Sequence, residues 1–260
     1  MGFLSNFMQE LPLYLLSLPV VLLALSVHES AHGYAAYRLG DPTARNLGRI
    51  TLNPVKHFDL LGFLSMLVFH VGWAKPVPIN SRYFKNPRRD MAITGAAGPL
   101  SNLCMAMINL IIIRLSMLFM AESYYGEVLA YAVARSAGDS FTGSLSFTIV
   151  ALILYMLYMG VIMNVVLTIF NLIPIPPFDG SRIFYAFLPP KWYFGIMKYE
   201  RVIMLVFIFL FFLGFLNGPL AMAENWLINA LFTLTGMGSD TVDYNVLTWM
   251  LVYIQDLVTL

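Results

Sequence analysis

Long apolar runs with very few charges dominate this sequence of 260 residues. Hydrophobic residues make up 59% of the chain and charged residues only 11%, whereas a soluble domain carries roughly 25% charged residues. An apolar helix of about 20 residues crosses a bilayer, so the chain has room for a bundle of about four to six spans. We therefore predict an all-α polytopic membrane protein embedded in the lipid bilayer.

Five apolar runs set the expected organisation. The runs 11–37, 91–120 and 146–173 are long enough to cross a membrane, and 202–216 is just long enough if flanking residues extend it. The run 60–73 has only about 14 residues, so we predict a re-entrant or interfacial segment there, between the first spans. Further apolar stretches at 219–234 and 246–260 are interrupted by polar residues, and each is either an interfacial helix or another span.

Basic residues are distributed very unevenly. Nine lysines and arginines lie between Arg38 and Asp90, and four more lie between Pro174 and Arg201. Because cytoplasmic loops carry an excess of Lys and Arg, we expect these segments inside and the N-terminus outside. The first apolar run lacks a basic leader and a cleavage motif, which favours a retained span in a prokaryotic plasma membrane. The net charge of +1 gives no basic field for nucleic acid, and a single cysteine, Cys104, excludes an internal disulfide.

A cluster of ionisable residues ends the first apolar run. It directly follows the uncharged stretch 11–27 and reads His28-Glu29-Ser30-Ala31-His32. On a helix the two histidines share one face, and H-E-x-x-H is the pattern in which two imidazoles bind zinc and the glutamate accepts a proton from water. A polar helix face that pairs with neighbouring helices is the alternative, but ionisable groups are costly inside a membrane. The motif predicts a metalloprotease working inside a membrane.

A third ligand is expected from the segment 171–180, which contains Pro174, Pro176 and Pro177 before Asp179. Three prolines cannot continue a helix, so the chain must unwind as it nears the cytoplasmic face. Irregular backbone at membrane depth is tolerated where it lines a cavity, and the histidines lie at the same depth. The alternative for Asp179 is a helix N-cap with Arg182 as its partner.

These elements together resemble the site-2 protease family of intramembrane zinc metalloproteases, in its compact prokaryotic form without PDZ or CBS modules. The resemblance covers about residues 20–190 and extends to the segments 53–59 and 72–78. The segment 98–102, Gly-Pro-Leu-Ser-Asn, is similar to the family's G-P-x-x-N element, whereas Leu60 stands where the family usually has a proline. We expect residues 1–200 to form the protease core and 201–260 to form C-terminal transmembrane or interfacial helices.

The resemblance implies one Zn²⁺ per chain, held by His28, His32 and Asp179, with Glu29 as general base and then general acid. It also implies that Asn102 hydrogen-bonds the substrate carbonyl or the developing oxyanion; an interhelical hydrogen bond is the alternative. His57 and His70 are expected to be structural or interfacial. The predicted activity is hydrolysis of peptide bonds in membrane-anchored proteins near the cytoplasmic leaflet.

The substrate is expected to be an unwound transmembrane protein. The segment 71–83 mixes prolines with β-formers, so we predict a small membrane-associated β element whose edge takes the substrate as an added strand. A catalytically silent membrane scaffold of the same fold is the main alternative, and Glu29 argues against it because a structural metal site needs no base. A di-iron oxidase needs more than four histidines, and a transporter of inverted repeats needs a repeat that this sequence lacks.

Overall fold

The computed structural model of the chain describes residues 3–69, 73–120, 122–189, 196, 198–238 and 241–259. These residues are mainly helical, and none of them forms a β-strand. The helices are α1 (Phe3–Arg38), α2 (Thr43–Asn46), α3 (Leu60–Phe69), α4 (Pro87–Leu118), α5 (Glu122–Ala137), α6 (Leu145–Leu172), α7 (Asp179–Ala186), α8 (Glu200–Phe212), α9 (Asn217–Leu234) and α10 (Val242–Thr259). Short 3-10 turns occur at Pro54–Lys56 and Ser81–Tyr83.

Among the residues that the structure describes, three helices are long and apolar enough to cross a membrane. These candidate spans are Leu11–Arg38, Pro87–Leu118 and Leu145–Leu172, with mean hydropathies of 2.0, 1.7 and 2.4. They agree with three of the runs predicted from the sequence. A helix satisfies all its backbone polar groups internally, which is why apolar runs of this length become helices in lipid. The expected total of four to six spans is not confirmed by the described residues, in which α8 is a shorter apolar helix.

The predicted β element is not confirmed either. Within the part of 71–83 that the structure describes, residues 73–80 have no regular secondary structure and Ser81–Tyr83 forms a 3-10 turn. Pro76 and Pro78 remove two of the N–H donors that a strand ladder would require. Residues 71 and 72 lie outside the described residues.

The described chain divides into two compact units, each built from separated segments. The first comprises Met1–Val21, Met105–Met163 and Trp226–Leu260, and the second comprises Leu22–Cys104 and Asn164–Asn225. Helices α1, α4 and α6 each contribute residues to both units. All the predicted site residues belong to the second unit. The functional division at residue 200 remains a prediction.

Within the first unit, α5 and α10 are joined by a polar cluster surrounded by aromatic rings. Asp256 accepts hydrogen bonds from the Tyr131 hydroxyl and the Arg135 guanidinium. The Tyr131 ring packs edge-on against Tyr253, with 5.2 Å between ring centroids. In the same unit Arg114, a charged residue inside a span, pairs with Asp243 at the start of α10.

The break between α6 and α7 forms where the sequence predicts it. Helix α6 ends at Leu172, the three prolines follow, and α7 begins at Asp179. Gly180 lies directly against the end of α6, because a Cβ at this position would overlap the carbonyl oxygens of Leu172 and Ile173. The absence of a side chain at Gly180 therefore allows α7 to fold back closely and fixes the position of the preceding aspartate.

Candidate metal centre

Three predicted ligands converge in the second unit. His28 and His32 lie one turn apart on α1, and their Nε2 atoms are 3.0 Å from each other. Asp179 Oδ2, from the start of α7, lies 3.1 Å from His28 Nε2 and 2.9 Å from His32 Nε2. All three side chains are buried. Asp179 follows His28 by 151 positions and His32 by 147, yet all three residues direct one ligand atom toward a single point.

The other nitrogen of each imidazole is engaged by an acceptor. His32 Nδ1 donates to the Thr94 carbonyl oxygen at 2.7 Å. His28 Nδ1 lies 2.5 Å from Asn102 Oδ1. The Asn102 amide is oriented by its Nδ2, which donates to the Ala24 carbonyl at 3.3 Å and to Asn164 Oδ1 at 2.7 Å. With both Nδ1 atoms protonated, both Nε2 atoms present lone pairs toward Asp179, as metal-ligating histidines do.

The donor set fits zinc. Two imidazole nitrogens and one carboxylate oxygen are a common set of protein ligands for catalytic zinc, which keeps a fourth position open for water or substrate. Bonds of about 2.0–2.1 Å in a tetrahedral site place ligand atoms about 3.3 Å apart. The observed separations of 2.9–3.1 Å are slightly shorter. His28, His32 and Asp179 are also the residues of the described chain that group closely enough to hold a metal ion.

The Asp179 carboxyl is poised to be an anionic ligand. Its Oδ2 is the oxygen that faces both imidazole Nε2 atoms, so a cation held between these three atoms would balance the charge of the carboxylate. Arg182 is a distant partner, with 3.9 Å between its Nη1 and Asp179 Oδ1. The alternative of a helix N-cap is wrong: Phe178 occupies that position, and no side chain caps the helix.

Two glycines of α4 make room for these ligands. A Cβ on Gly98 would overlap the rings of both His28 and His32. A Cβ on Gly95 would lie 3.2 Å from the Asp179 carbonyl oxygen. Helix α4 therefore approaches both ligand-bearing helices closely through its glycine positions. The sequence marked Gly98 through the G-P-x-x-N element, but it gave no sign that the glycine contacts the imidazoles.

Glu29 lies next to the ligands and is half-buried. Its Oε2 accepts a hydrogen bond from the backbone N–H of Val77 at 2.7 Å. Its Oε1 has no hydrogen-bond partner among the described residues. One carboxylate oxygen is thus fixed by the protein, and the other can exchange a proton.

Of the other two histidines, the structure describes only His57, which does not join the ligands. His57 is buried, and its Nε2 donates to the Thr51 carbonyl oxygen at 2.9 Å, which agrees with the structural role expected for it. His70 lies outside the described residues. Sequence reasoning missed Asn164 and Thr94. The Thr94 carbonyl orients His32 directly, and Asn164 orients His28 indirectly by accepting a hydrogen bond from Asn102. Asn164 had one signal, a carboxamide within an apolar span, but the carbonyl of Thr94 had none.

One apolar helix presents two imidazoles and a glutamate, and an aspartate that follows the break between α6 and α7 completes the ligand set. This arrangement defines a membrane zinc metalloprotease of the H-E-x-x-H type. The chain belongs to peptidase family M50, the site-2 protease family, whose family model matches residues 16–216. The predicted family, zinc requirement and metalloprotease activity are thereby confirmed. With three candidate spans, the chain is an integral membrane protein.

Two relatives carry matching names. One, from Bacillus subtilis and named "Putative zinc metalloprotease YwhC", is 39% identical over 203 residues, which cover 77% of this chain and 82% of the relative. The other, from Mycolicibacterium smegmatis and named "Putative zinc metalloprotease Rip2", is 30% identical over 175 residues, which cover 65% of this chain and 56% of the relative. No solved structure matches the chain significantly.

Proposed function

We propose that this protein is an intramembrane endopeptidase that hydrolyses membrane-anchored proteins near the cytoplasmic leaflet. The observation that carries the proposal is the position of the ligands: His28 and His32 lie on α1 within the candidate span Leu11–Arg38. They meet Asp179 immediately after the break between α6 and α7, where the chain leaves the candidate span Leu145–Leu172. A metalloprotease acting only on soluble proteins has no need to hold its metal ligands on such a helix.

The proposed orientation places the N-terminus outside and the metal centre toward the cytoplasm of a prokaryotic cell. Its support is the excess of Lys and Arg between Arg38 and Asp90, compared with a single arginine between α4 and α6. His28 is about 17 residues, or ~26 Å, from residue 11 at the start of the span, which corresponds to the cytoplasmic half of a bilayer about 30 Å thick.

In the proposed chemistry, His28, His32 and Asp179 hold the zinc. Bound zinc supplies Lewis-acid chemistry, which lowers the pKa of a water molecule to about 7 and polarises a carbonyl group. Glu29 accepts the proton of the attacking water on Oε1 and then delivers it to the amine of the departing peptide. Asn102 acts through His28, since its Oδ1 accepts from the ring and its Nδ2 is committed to Ala24 and Asn164.

The substrate is proposed to pair with the extended segment that includes Ile79. The N–H and the carbonyl of Ile79, and the carbonyl of Val77, have no hydrogen-bond partner among the described residues. These groups are the ones through which an unwound peptide would add as a strand. Val77 is also tied to Glu29, so a substrate paired here would lie beside the proposed base.

The protease proposal is tested with full-length protein purified in detergent and loaded with zinc. Wild type, Glu29→Gln and Asp179→Ala are compared for zinc content and for cleavage of a model transmembrane substrate. We expect about one zinc per chain in wild type and in Glu29→Gln, loss of at least about 10³-fold in cleavage by Glu29→Gln, and loss of zinc in Asp179→Ala. Cleavage that does not depend on Glu29 would overturn the proposal, and absence of cleavage by zinc-loaded wild type would favour a silent scaffold.

The docking edge is tested at Ile79. Ile79→Pro removes an N–H that makes no bond within the described protein, whereas Ile79→Ala keeps it, so the pair separates backbone pairing from side-chain loss. We expect Ile79→Pro to raise KM or abolish cleavage while zinc content stays normal, and Ile79→Ala to act close to wild type. Equal cleavage by both variants would exclude pairing through this residue.

A further inference from the structure

A buried arginine holds the segment that contacts Glu29. Arg49 lies in the loop after α2, and its Nη2 donates to the carbonyl oxygens of Lys75 at 2.7 Å and Pro76 at 3.2 Å. The N–H of Lys75 in turn donates to the carbonyl of His57 at 2.8 Å. Lys75 is therefore held through both its N–H and its carbonyl, and Pro76 is held through its carbonyl.

The burial of Arg49 is costly and calls for a function. The residue is 9% exposed, and among the described residues no carboxylate pairs with it. Its Nε also lacks a hydrogen-bond partner there. A charge that leaves water without an ion pair lowers stability, so this guanidinium is not explained as a contribution to folding. The groups that Arg49 contacts are the carbonyl oxygens of residues 75 and 76.

The next residue carries this attachment to the proposed base. The N–H of Val77 donates to Glu29 Oε2, so the position of that oxygen depends on where residues 75–77 are held. A hydrogen bond from a backbone N–H to a carboxylate is charge-assisted and directional. It leaves Oε1 as the oxygen that exchanges the proton.

A second contact fixes Val77 from the side of α1. Gly33 lies one turn after Glu29, and a Cβ there would be 3.2 Å from Val77 Cγ1. The same Cβ would be 3.2 Å from Ala44 and Ile50. Val77 is buried in this notch, which brings its N–H next to α1 at the level of Glu29.

We propose that Arg49 is a positioning residue for the proton-transfer step: it clamps residues 75 and 76 so that the Val77 N–H holds Glu29 in the orientation for reaction. This inference rests on the proposed role of Glu29. In this role Arg49 acts through the backbone of 75–77, whose carbonyls it holds. Loss of the clamp should slow the chemical step without releasing zinc, because none of the hydrogen bonds of His28, His32 and Asp179 goes to Arg49 or to residues 75–77.

The test compares zinc-loaded full-length Arg49→Ala and Arg49→Lys with wild type. Arg45→Ala is the matched control, because Arg45 lies only four residues earlier, in α2, is exposed and contacts Tyr37 instead. For Arg49→Ala we expect kcat to fall about 10–100-fold, KM to stay within about twofold and zinc content to be unchanged. Arg49→Lys keeps a donor and should recover most of kcat, and Arg45→Ala should match wild type.

Hydrogen exchange of the backbone amides in 73–80 gives a readout that is independent of activity. Arg49→Ala should exchange faster there than wild type, while Arg45→Ala should not. Unchanged kcat in Arg49→Ala, a rise in KM alone, or loss of zinc together with kcat would each overturn the inference. If Arg49→Ala does not fold, Arg49→Met replaces it: the side chain keeps most of its volume but has no donor for the carbonyls of residues 75 and 76, so the same loss of kcat with normal zinc is expected, and wild-type kcat would overturn the inference.

Glu29→Gln, measured in parallel, separates the two proposals. If Glu29→Gln still cleaves, the proposed function and this inference fail together. If Glu29→Gln is inactive while Arg49→Ala cleaves like wild type, the function stands and only the positioning role of Arg49 is wrong.

Discussion

The orientation of each histidine ligand depends on a hydrogen-bond acceptor from another helix. His32 is oriented by a backbone carbonyl of α4, and His28 by the Asn102 side chain of the same helix. Both hydrogens of the Asn102 amide are committed elsewhere, so no donor remains for a substrate oxyanion. This arrangement favours the interhelical role for Asn102 over the oxyanion role, although the function of the residue remains a prediction.

Gly98 provides a direct test of how tightly the ligands are packed. In Gly98→Ala the added methyl would occupy the space of both imidazole rings, so the histidines must move or α4 must shift away. We expect zinc affinity to fall at least about tenfold, as it does when the orientation of ligands is disturbed. Competition with a zinc-binding dye measures this affinity.

The matched control for this substitution is Gly126→Ala. Gly126 is also helical, and a Cβ there would meet nothing within 4 Å. This variant should bind zinc like wild type. Wild-type affinity in Gly98→Ala would mean that the site is looser than the geometry indicates.

At the scale of elements, the sequence predicted the features that are determined by the residues of the segment itself. The apolar runs that became α1, α4 and α6 need only length and hydropathy, and the break before Asp179 needs only three prolines. The contact between Val77 and Glu29 joins residues 48 positions apart through a backbone N–H, which has no signature in side-chain identity. The expected β element failed for a related reason: prolines and β-formers indicate extended backbone, but a strand also needs a partner, and none is present among the described residues.

The contact between α5 and α10 gives a prediction at this scale. Hydrogen bonds from Arg135 lower the pKa of Asp256. Burial partly opposes this shift by raising the pKa, and the hydrogen bond from Tyr131 adds to it. A carboxyl with a lowered folded-state pKa stabilises the fold above its unfolded pKa, about 3.9, and that contribution is lost as the pH falls through the folded value. Asp256→Asn should therefore lower the unfolding temperature by a few degrees at pH 7.

The difference between Asp256→Asn and wild type should shrink as the pH falls below about 4, because wild type then loses the same charge. Asp139→Asn is the matched control, since Asp139 lies just beyond α5 and its side chain makes no bond within the described residues. Thermal unfolding in detergent across the pH range measures both variants. A difference that is constant with pH would contradict the assignment of this stability to the Asp256 charge.

At the scale of the whole molecule, zinc binding should be coupled to folding of the chain. Its ligands come from α1 and from α7, about 150 residues later, so zinc that binds only the folded chain must raise the stability of that chain. Each tenfold increase in free zinc above Kd should add about 1.4 kcal/mol to the free energy of unfolding. We therefore expect the unfolding temperature of chelator-treated wild type to rise with added zinc and that of Asp179→Ala to rise much less. Glu29→Gln should rise like wild type, because Glu29 is a base and not a ligand. An equal zinc response in wild type and Asp179→Ala would show that stabilising zinc binds elsewhere and that the three donors do not form the metal centre.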